Sequence, residues 1–332
     1  MIIKEIKINN FRSHKEYFLK FNKKTTMIVG ENGCGKTSVL EAIYEGLRGK
    51  SFKATDKDIL KRGEEFYRIE LDYYDGEKTI VVYDGEKNKK TFQVQDKKFG
   101  RLPKKNKYPV VVFEPDDLNL IGASPNHKRT YFDRFFSQLS ESYSNSLLKY
   151  NKALKQRNEL LKRDFLKAEE VFSWNVMLAK YGTEILSFRK NKTDEINKII
   201  TETYRGIADN KDAVQFVYTT HTEAQESEYL QQLERCFEKD KILGHTSFGV
   251  HRDDFEFRFN EKEADGTASR GEIRSIILAL KFIEAGMLEK EKNIKPLILL
   301  DDVFSELDEK RQKCLVRNFK DNQVIITSVK EA

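Results

Sequence analysis

Three hydrophobic patterns follow one another along the chain. In the first 113 residues, short apolar runs alternate with polar positions at a period of two, the spacing of half-buried strands. Ile2, Ile6 and Ile8 share one face, residues 27–29 form a short buried run, and residues 69–74 and 79–83 flank an Asp75-Gly76 turn that predicts a hairpin. One helix is expected over residues 37–48. After Pro115 the spacing turns helical and stays so to about residue 246. Leu147, Leu154, Leu161 and Ala168 recur at every seventh position, but Asn151 and Asn158 weaken the second stripe, so a helical arm of a few turns is expected rather than a long coiled coil. From Ser247 strands return: residues 254–260 alternate, residues 272–288 read as an amphipathic helix, and residues 296–300 and 323–327 read as buried strands. The pattern predicts an α/β domain made of residues 1–114 and 247–332, interrupted by an α-helical second lobe at 115–246.

Composition changes this picture little. With 332 residues, 39% of them hydrophobic, the chain can fill one large or two ordinary cores. No apolar run approaches the roughly 18–20 residues of a membrane-spanning helix. Residues 1–10 mix apolar and charged positions where a secretory signal would be continuously apolar, so a cytosolic protein with no membrane partner is expected. Cys34, Cys236 and Cys314 are widely spaced with no CxxC pair, which argues against a disulfide framework and a zinc site.

Charge does add something. The net charge of +6 is spread unevenly. Residues 86–107 carry nine Lys/Arg against two acids, and residues 149–192 carry eleven against five. Either run alone suits a solvated face; two in one chain point towards a polyanionic partner.

The chemistry is most specific at Gly30-Glu31-Asn32-Gly33-Cys34-Gly35-Lys36-Thr37, followed by Ser38, which satisfies G-x-x-x-x-G-K-[ST] between a short apolar strand and a predicted helix. Such a loop turns backbone N–H groups around phosphates. Lys36 would reach the terminal phosphates and the Thr37 hydroxyl would ligate Mg²⁺. Cys34 fills a variable slot of the loop. Asp301 and Asp302, directly after the apolar run 297–300, supply the acids that a bound triphosphate requires: Asp301 for the metal, Asp302 to orient or deprotonate the attacking water. ATP and Mg²⁺ are the expected cofactors, and Lys36 and Asp302 the expected catalytic residues.

Two further stretches separate the chain from ordinary phosphate-loop kinases. Ser269-Arg270-Gly271-Glu272 before a helix, and Ser305-Glu306-Leu307-Asp308 after the acid pair, resemble the signature motif and the D-loop of the ABC ATPase superfamily. Ser269 and Glu272 also fit a helix capping box, and both readings can hold together. Asn10-Phe11-Arg12-Ser13-His14 resembles the nucleotide-approaching loop of SMC-like ATPases, with Arg12 and Ser13 as the carried-over residues. Residues 124–133 (SPNHKRTYFD), 150–158 (YNKALKQRN) and 249–254 (GVHRDD) narrow the resemblance to the RecF family of bacterial recombination mediators, across nearly the whole chain and in the right order.

This resemblance implies an ABC-type P-loop ATPase head with a short helical lobe, dimerising with ATP on double-stranded and gapped DNA. It also implies slow hydrolysis and action with RecR and RecO in loading RecA. Another SMC-like ABC ATPase, in defence or chromosome maintenance, is the alternative. Three departures bear on turnover: Ser328 stands where the superfamily carries a switch histidine, no glutamine occurs in residues 113–120 where a Q-loop would lie, and Arg270 and Glu272 replace glutamines of the signature. His251 fits either a chemical role or a structural hydrogen-bonding knot. Lys89, Lys90, Lys97, Lys98, Arg101, Lys104 and Lys105 are the candidate contacts to the DNA backbone.

Overall fold

Ile3, Ile6 and Ile8 are buried along the strand Ile3–Phe11, whereas Ile2 is exposed. A register shift between Ile3 and Glu5 against the neighbouring strand Phe66–Tyr73 explains the difference from strict alternation, because an extra residue in a strand moves the inward face by one position. The computed structural model describes residues 2–222 and 225–329, and it divides into two units, Met1–Asp117 with Ala285–Ala332, and Leu118–Glu284.

The first unit contains two sheets around one apolar core. An antiparallel sheet runs in the order His14–Lys20, Ile3–Phe11, Phe66–Tyr73, Lys78–Asp84, Lys89–Val94, Lys97–Phe99. The expected hairpin is its Phe66–Tyr73/Lys78–Asp84 pair, with Gly76 at the left-handed φ of 85° that the turn needs. The other sheet is parallel, in the order Thr25–Val29, Val324–Ser328, Leu297–Asp301, Val110–Phe113. Leu297–Asp301 is buried throughout, as an interior parallel strand requires. Thr25–Val29 lies at the edge, so residues 27–29 are less buried than their composition suggests: Ile28 is inside and Val29 is exposed. The helix Lys36–Arg48 packs Val39, Leu40, Ile43, Tyr44 and Leu47 into this core at helical spacing. It stops at Gly49, whose φ of 78° lets its N–H donate to Glu45 O at 2.7 Å.

The second unit contains the helices Pro125–Leu139, Glu141–Leu160 and Ala168–Asn197, shorter helices, and a small antiparallel sheet. Its boundary lies at Glu284 and not near residue 246, because Asp254–Phe259 pairs with Val214–Thr219 and so ties residues 247–284 to the helices. The seven-residue leucine repeat is not the packing seam. The buried positions of Glu141–Leu160 are Tyr143, Ser146, Tyr150, Ala153 and Arg157, and Leu147 and Leu154 lie beside them, half-buried. Leu161 caps this helix and Ala168 opens the next, so the repeat does not continue through one helix.

Polar residues knit this unit together. Fully buried Arg157 pairs with fully buried Asp240 at 2.7 Å and also donates to Asn175 and Thr246. Arg189 donates to the Val250 carbonyl, the Tyr143 hydroxyl and Asp133. Segments 124–133, 150–158 and 249–254 thus meet in one network: Arg129 donates to Asp253 O, Lys128 pairs with Asp254, and Asn158 accepts from Thr246. Gly249, at φ 129°, passes so close to the Tyr150 and Tyr229 hydroxyls that a Cβ would sit 2.5 and 2.4 Å from them.

His251 belongs to this network, with both ring nitrogens hydrogen-bonded within the unit. Its Nδ1 is 2.7 Å from Tyr150 OH and its Nε2 3.0 Å from the Thr246 carbonyl, which can only accept, so Nε2 carries the proton and Nδ1 accepts from the tyrosine. Burial holds its pKa down at about 4, against an ordinary 6.5. Between those values the unfolded chain binds a proton that the folded one refuses. Stability contributed by neutral His251 is therefore complete above pH 6.5 and is lost as the pH falls towards 4, by up to about 3 kcal/mol. Thermal melts from pH 7 to 4.5 should show this slope in the wild type and a shallower one in His251→Asn. Parallel slopes would remove His251 from the account.

Candidate nucleotide site

The parallel sheet decides where the site forms. All four strands point the same way, so Gly30, Ser328, Asp301 and Glu114 emerge at one end of the sheet, where ligands gather in such folds. The loop after Thr25–Val29 enters the helix Lys36–Arg48 through Gly35, at φ 97°, and no side chain caps the helix start. Its first N–H groups and the positive end of its dipole are left for an anion. A side chain at position 35 would be strained at this φ, and its Cβ would lie 2.5 Å from His14 Nε2 and 2.7 Å from Ser13 Oγ, which would have to shift.

A cavity of about 620 Å³ opens there, lined by Arg12, Ser13, Asn32, Gly33, Gly35 and Lys36, with Thr37, Ser38 and Asp302. Lys36 is buried and folded back over its own loop, donating to Gly30 O at 2.9 Å and Glu31 O at 3.1 Å. Its Nζ is 3.9 Å from Asp302. Thr37 Oγ1 donates to Asp301 Oδ1 at 2.8 Å, and Thr327 Oγ1 donates to the same oxygen at 3.0 Å. These are hard oxygen donors of the kind Mg²⁺ takes, and Mg²⁺ commonly binds through one or two protein oxygens together with phosphates. The donor set therefore suits the cation.

Asp302 departs from the expected continuation of the strand. The strand ends at Asp301, and Asp302 adopts a left-handed φ of 51°, uncommon for a residue with a side chain. That turn brings its carboxylate to the cavity wall. Oδ1 is buried without a hydrogen-bond partner, and burial raises the carboxyl's pKa against the opposing pull of Lys36. An under-solvated acid beside an anion cradle is a candidate functional group.

Several participants escaped the sequence reading. Lys53 places its ammonium 3.1 Å from Glu114 and 3.3 Å from Asp301, bridging both acids. Burial works against its charge, but these carboxylates outweigh it and raise its pKa. Glu114, at the end of Val110–Phe113, occupies the stretch searched for a glutamine. Arg12, at φ 55°, forks onto buried Glu41 with 2.9 and 3.0 Å bonds, which fixes its guanidinium beside the cavity. Cys34 is exposed on the loop.

The other motif residues hold local structure. In the second unit, Ser269 and Glu272 form the reciprocal cap expected of them: Glu272 accepts from Ser269 N at 2.6 Å, and Ser269 Oγ accepts from Glu272 N at 3.3 Å. This cap opens the helix Arg270–Lys292, and Ser269 and Arg270 are exposed. Ser305 donates to Asp302 O, and Asp308 caps Glu309–Asn318 by accepting from Arg311 N. One candidate DNA contact is corrected. Lys90 is mostly buried and bridges Glu45, at 2.6 Å, and Asp56, because alternation in Lys89–Val94 turns it inward with Phe92 and Val94.

The family model described as an AAA ATPase domain matches residues 1–328. DNA replication and repair protein RecF of Clostridium acetobutylicum is 32% identical over 338 residues, covering 98% of this chain and 92% of that protein. The chain belongs to the RecF family. RecF of Alkaliphilus oremlandii is 31% identical, with 99% and 93% covered. A solved structure of the recombination mediator protein RecF with ATP, in the RecFOR pathway, matches with a TM-score of 0.88 at 27% identity, covering 100% of this chain and 92% of that one. The fold is accordingly an α/β, ABC-type ATPase head carrying a helical lobe. No helix among the described residues is long and apolar enough to cross a membrane.

Proposed function

We propose that this RecF-family chain binds ATP in the cavity above, hydrolyses it slowly, and uses the triphosphate to join two copies on DNA. The observation that carries the reading is the convergence of Lys36, Thr37, Asp301 and Asp302 at one end of the parallel sheet, around an uncapped helix start. Lys36 leaves the Gly30 and Glu31 carbonyls to meet the β- and γ-phosphates. Thr37 and Asp301 hold Mg²⁺, which neutralises phosphate charge. Asp302 orients the attacking water and takes its proton. Arg12 and Ser13 border the nucleotide, and Asn32 with the loop amides of Gly30, Gly33, Cys34 and Gly35 encloses the phosphates.

The Ser269–Glu272 cap, exposed at Ser269 and Arg270, is a second helix start, where a hydroxyl, a glycine amide and a helix dipole lie together. We assign it to the γ-phosphate held by another copy, with Ser305 and Asp308 near the joint. ATP then links association to occupancy. By family likeness the partners are RecR and RecO, acting to load RecA in gap repair. Ser328 at the switch position and Glu114 in place of a glutamine accord with slow turnover.

For DNA the candidates are Lys89, Lys97, Lys98, Arg101, Lys104 and Lys105, all exposed on or after the edge hairpin of the antiparallel sheet. Phosphate contacts without base reading suit recognition of a gap by its shape. Changing Lys89, Lys97, Lys98 and Lys105 to Glu should weaken binding to every duplex sequence alike and lower the log–log salt slope by roughly 0.9 per lost contact, while ATP binding is kept. Salt titrations giving equal slopes and affinities would move the DNA site elsewhere, with residues 149–192 next in line.

A further inference from the structure

The first unit has a second cavity, of about 450 Å³, and its charged lining is mostly cationic: Arg48, Lys50, Lys90, Arg101 and Lys107, with Asp56 as the acid. Asp56 is already taken, by Lys90 and the Tyr67 hydroxyl. Arg48 is the unusual member. It sits in the last turn of Lys36–Arg48, donates from Nη1 to the Tyr108 carbonyl at 3.2 Å and meets the Tyr44 phenol, yet its Nε is buried with no partner. No carboxylate among the described residues pairs with it. Buried guanidinium groups are ordinarily paired with acids, because removing the charge from water is costly. Burial indeed pulls the Arg48 pKa down. Arg101, on the same wall, is exposed and has no ion pair among the described residues.

An anion from outside would give Arg48 and Arg101 a common counter-charge. We propose that this cavity is a phosphate-binding pocket, in which Arg48 and Arg101 grip a phosphate group with Lys50 and Lys107 at the rim. Arginine forks match phosphate oxygens in pairs, and the open cavity has room for a phosphate with part of the chain that carries it. The group is either the terminal phosphate of a DNA strand or a free phosphate or pyrophosphate; the chemistry of the pocket is common to both. The loop after Gly49 is shared with the nucleotide site. Lys50, Ser51 and Ala54 line the phosphate pocket, while Ser51 also donates to Glu41, the partner of Arg12, and Lys53 holds Asp301.

The test must silence the phosphate loop, which would itself take pyrophosphate. In a Lys36→Ala background, pyrophosphate should raise the melting temperature by about 2 °C or more, and adding Arg48→Met or, separately, exposed Arg101→Met should abolish the rise. Without ligand, Arg48→Met should melt no lower than its parent, since it removes a half-buried charge that has no acid partner and keeps the stem. Binding of duplexes with 5′-phosphate or 5′-hydroxyl ends, measured with Lys36 intact and ATP present, then separates the sources: an Arg48-dependent preference for the phosphorylated end assigns the pocket to DNA, and equal affinities assign it to the free ion. No rise in the Lys36→Ala protein, or an equal rise in all variants, overturns the proposal. Loss of all duplex binding with the rise intact would contradict the DNA reading above and leave this one standing.

Discussion

Asp302→Asn should bind ATP as well as the wild type or better, and hydrolyse it roughly 10²–10⁴-fold more slowly. The side chain lines the cavity, one of its oxygens is buried and unpaired, and the amide keeps the shape while removing the proton acceptor. Removing a negative charge from beside the phosphate site eases binding. The wild-type rate should also fall on acidification at a higher pH than an ordinary aspartate would give, since burial raises this carboxyl's pKa, and that limb should vanish in the variant. Single-turnover hydrolysis with separate nucleotide-binding curves checks both parts. An unchanged rate would place the base elsewhere.

Lys36→Ala should cost about 10²-fold or more in ATP affinity, the size expected when charge-assisted hydrogen bonds to phosphate are lost. The ammonium is buried and prepositioned by two loop carbonyls, and among the cavity-lining side chains it is the one anchored inside the loop itself. Without it the carboxylate of Asp302 also loses its nearest cation. Fluorescent-nucleotide titration reads the change. Affinity within a few fold of wild type would contradict the assignment of the loop.

The parts of the site that follow from periodicity and local motif were legible in the sequence: the strand, loop and helix around Lys36, and the apolar strand ending in Asp301. Lys53 was not legible, because it lies in a stretch without hydrophobic rhythm and only the topology carries it to Asp301 and Glu114. The turn at Asp302 was hidden as well, since a left-handed aspartate looks like one more strand residue. In the helical unit the conspicuous leucine repeat drew attention from the true seam, which includes Arg157 and Ser146; buried polar residues break the very pattern by which a buried face is read. Lys90 shows the converse. Counting charges in residues 86–107 placed it outside, whereas its alternation with Phe92 and Val94 carried the signal that it points inward.

The claim at the centre of this account is that ATP held by one copy is closed over by the Ser269 cap of another. Sedimentation velocity on the wild type and Ser269→Arg, each with and without ATP and Mg²⁺, tests it most directly, with nucleotide binding measured in parallel. The account predicts that ATP converts the wild type from monomer to dimer, and that Ser269→Arg binds ATP with wild-type affinity yet stays monomeric. A wild type that remains monomeric at saturating ATP, or a Ser269→Arg protein that dimerises as readily as the wild type, would contradict it.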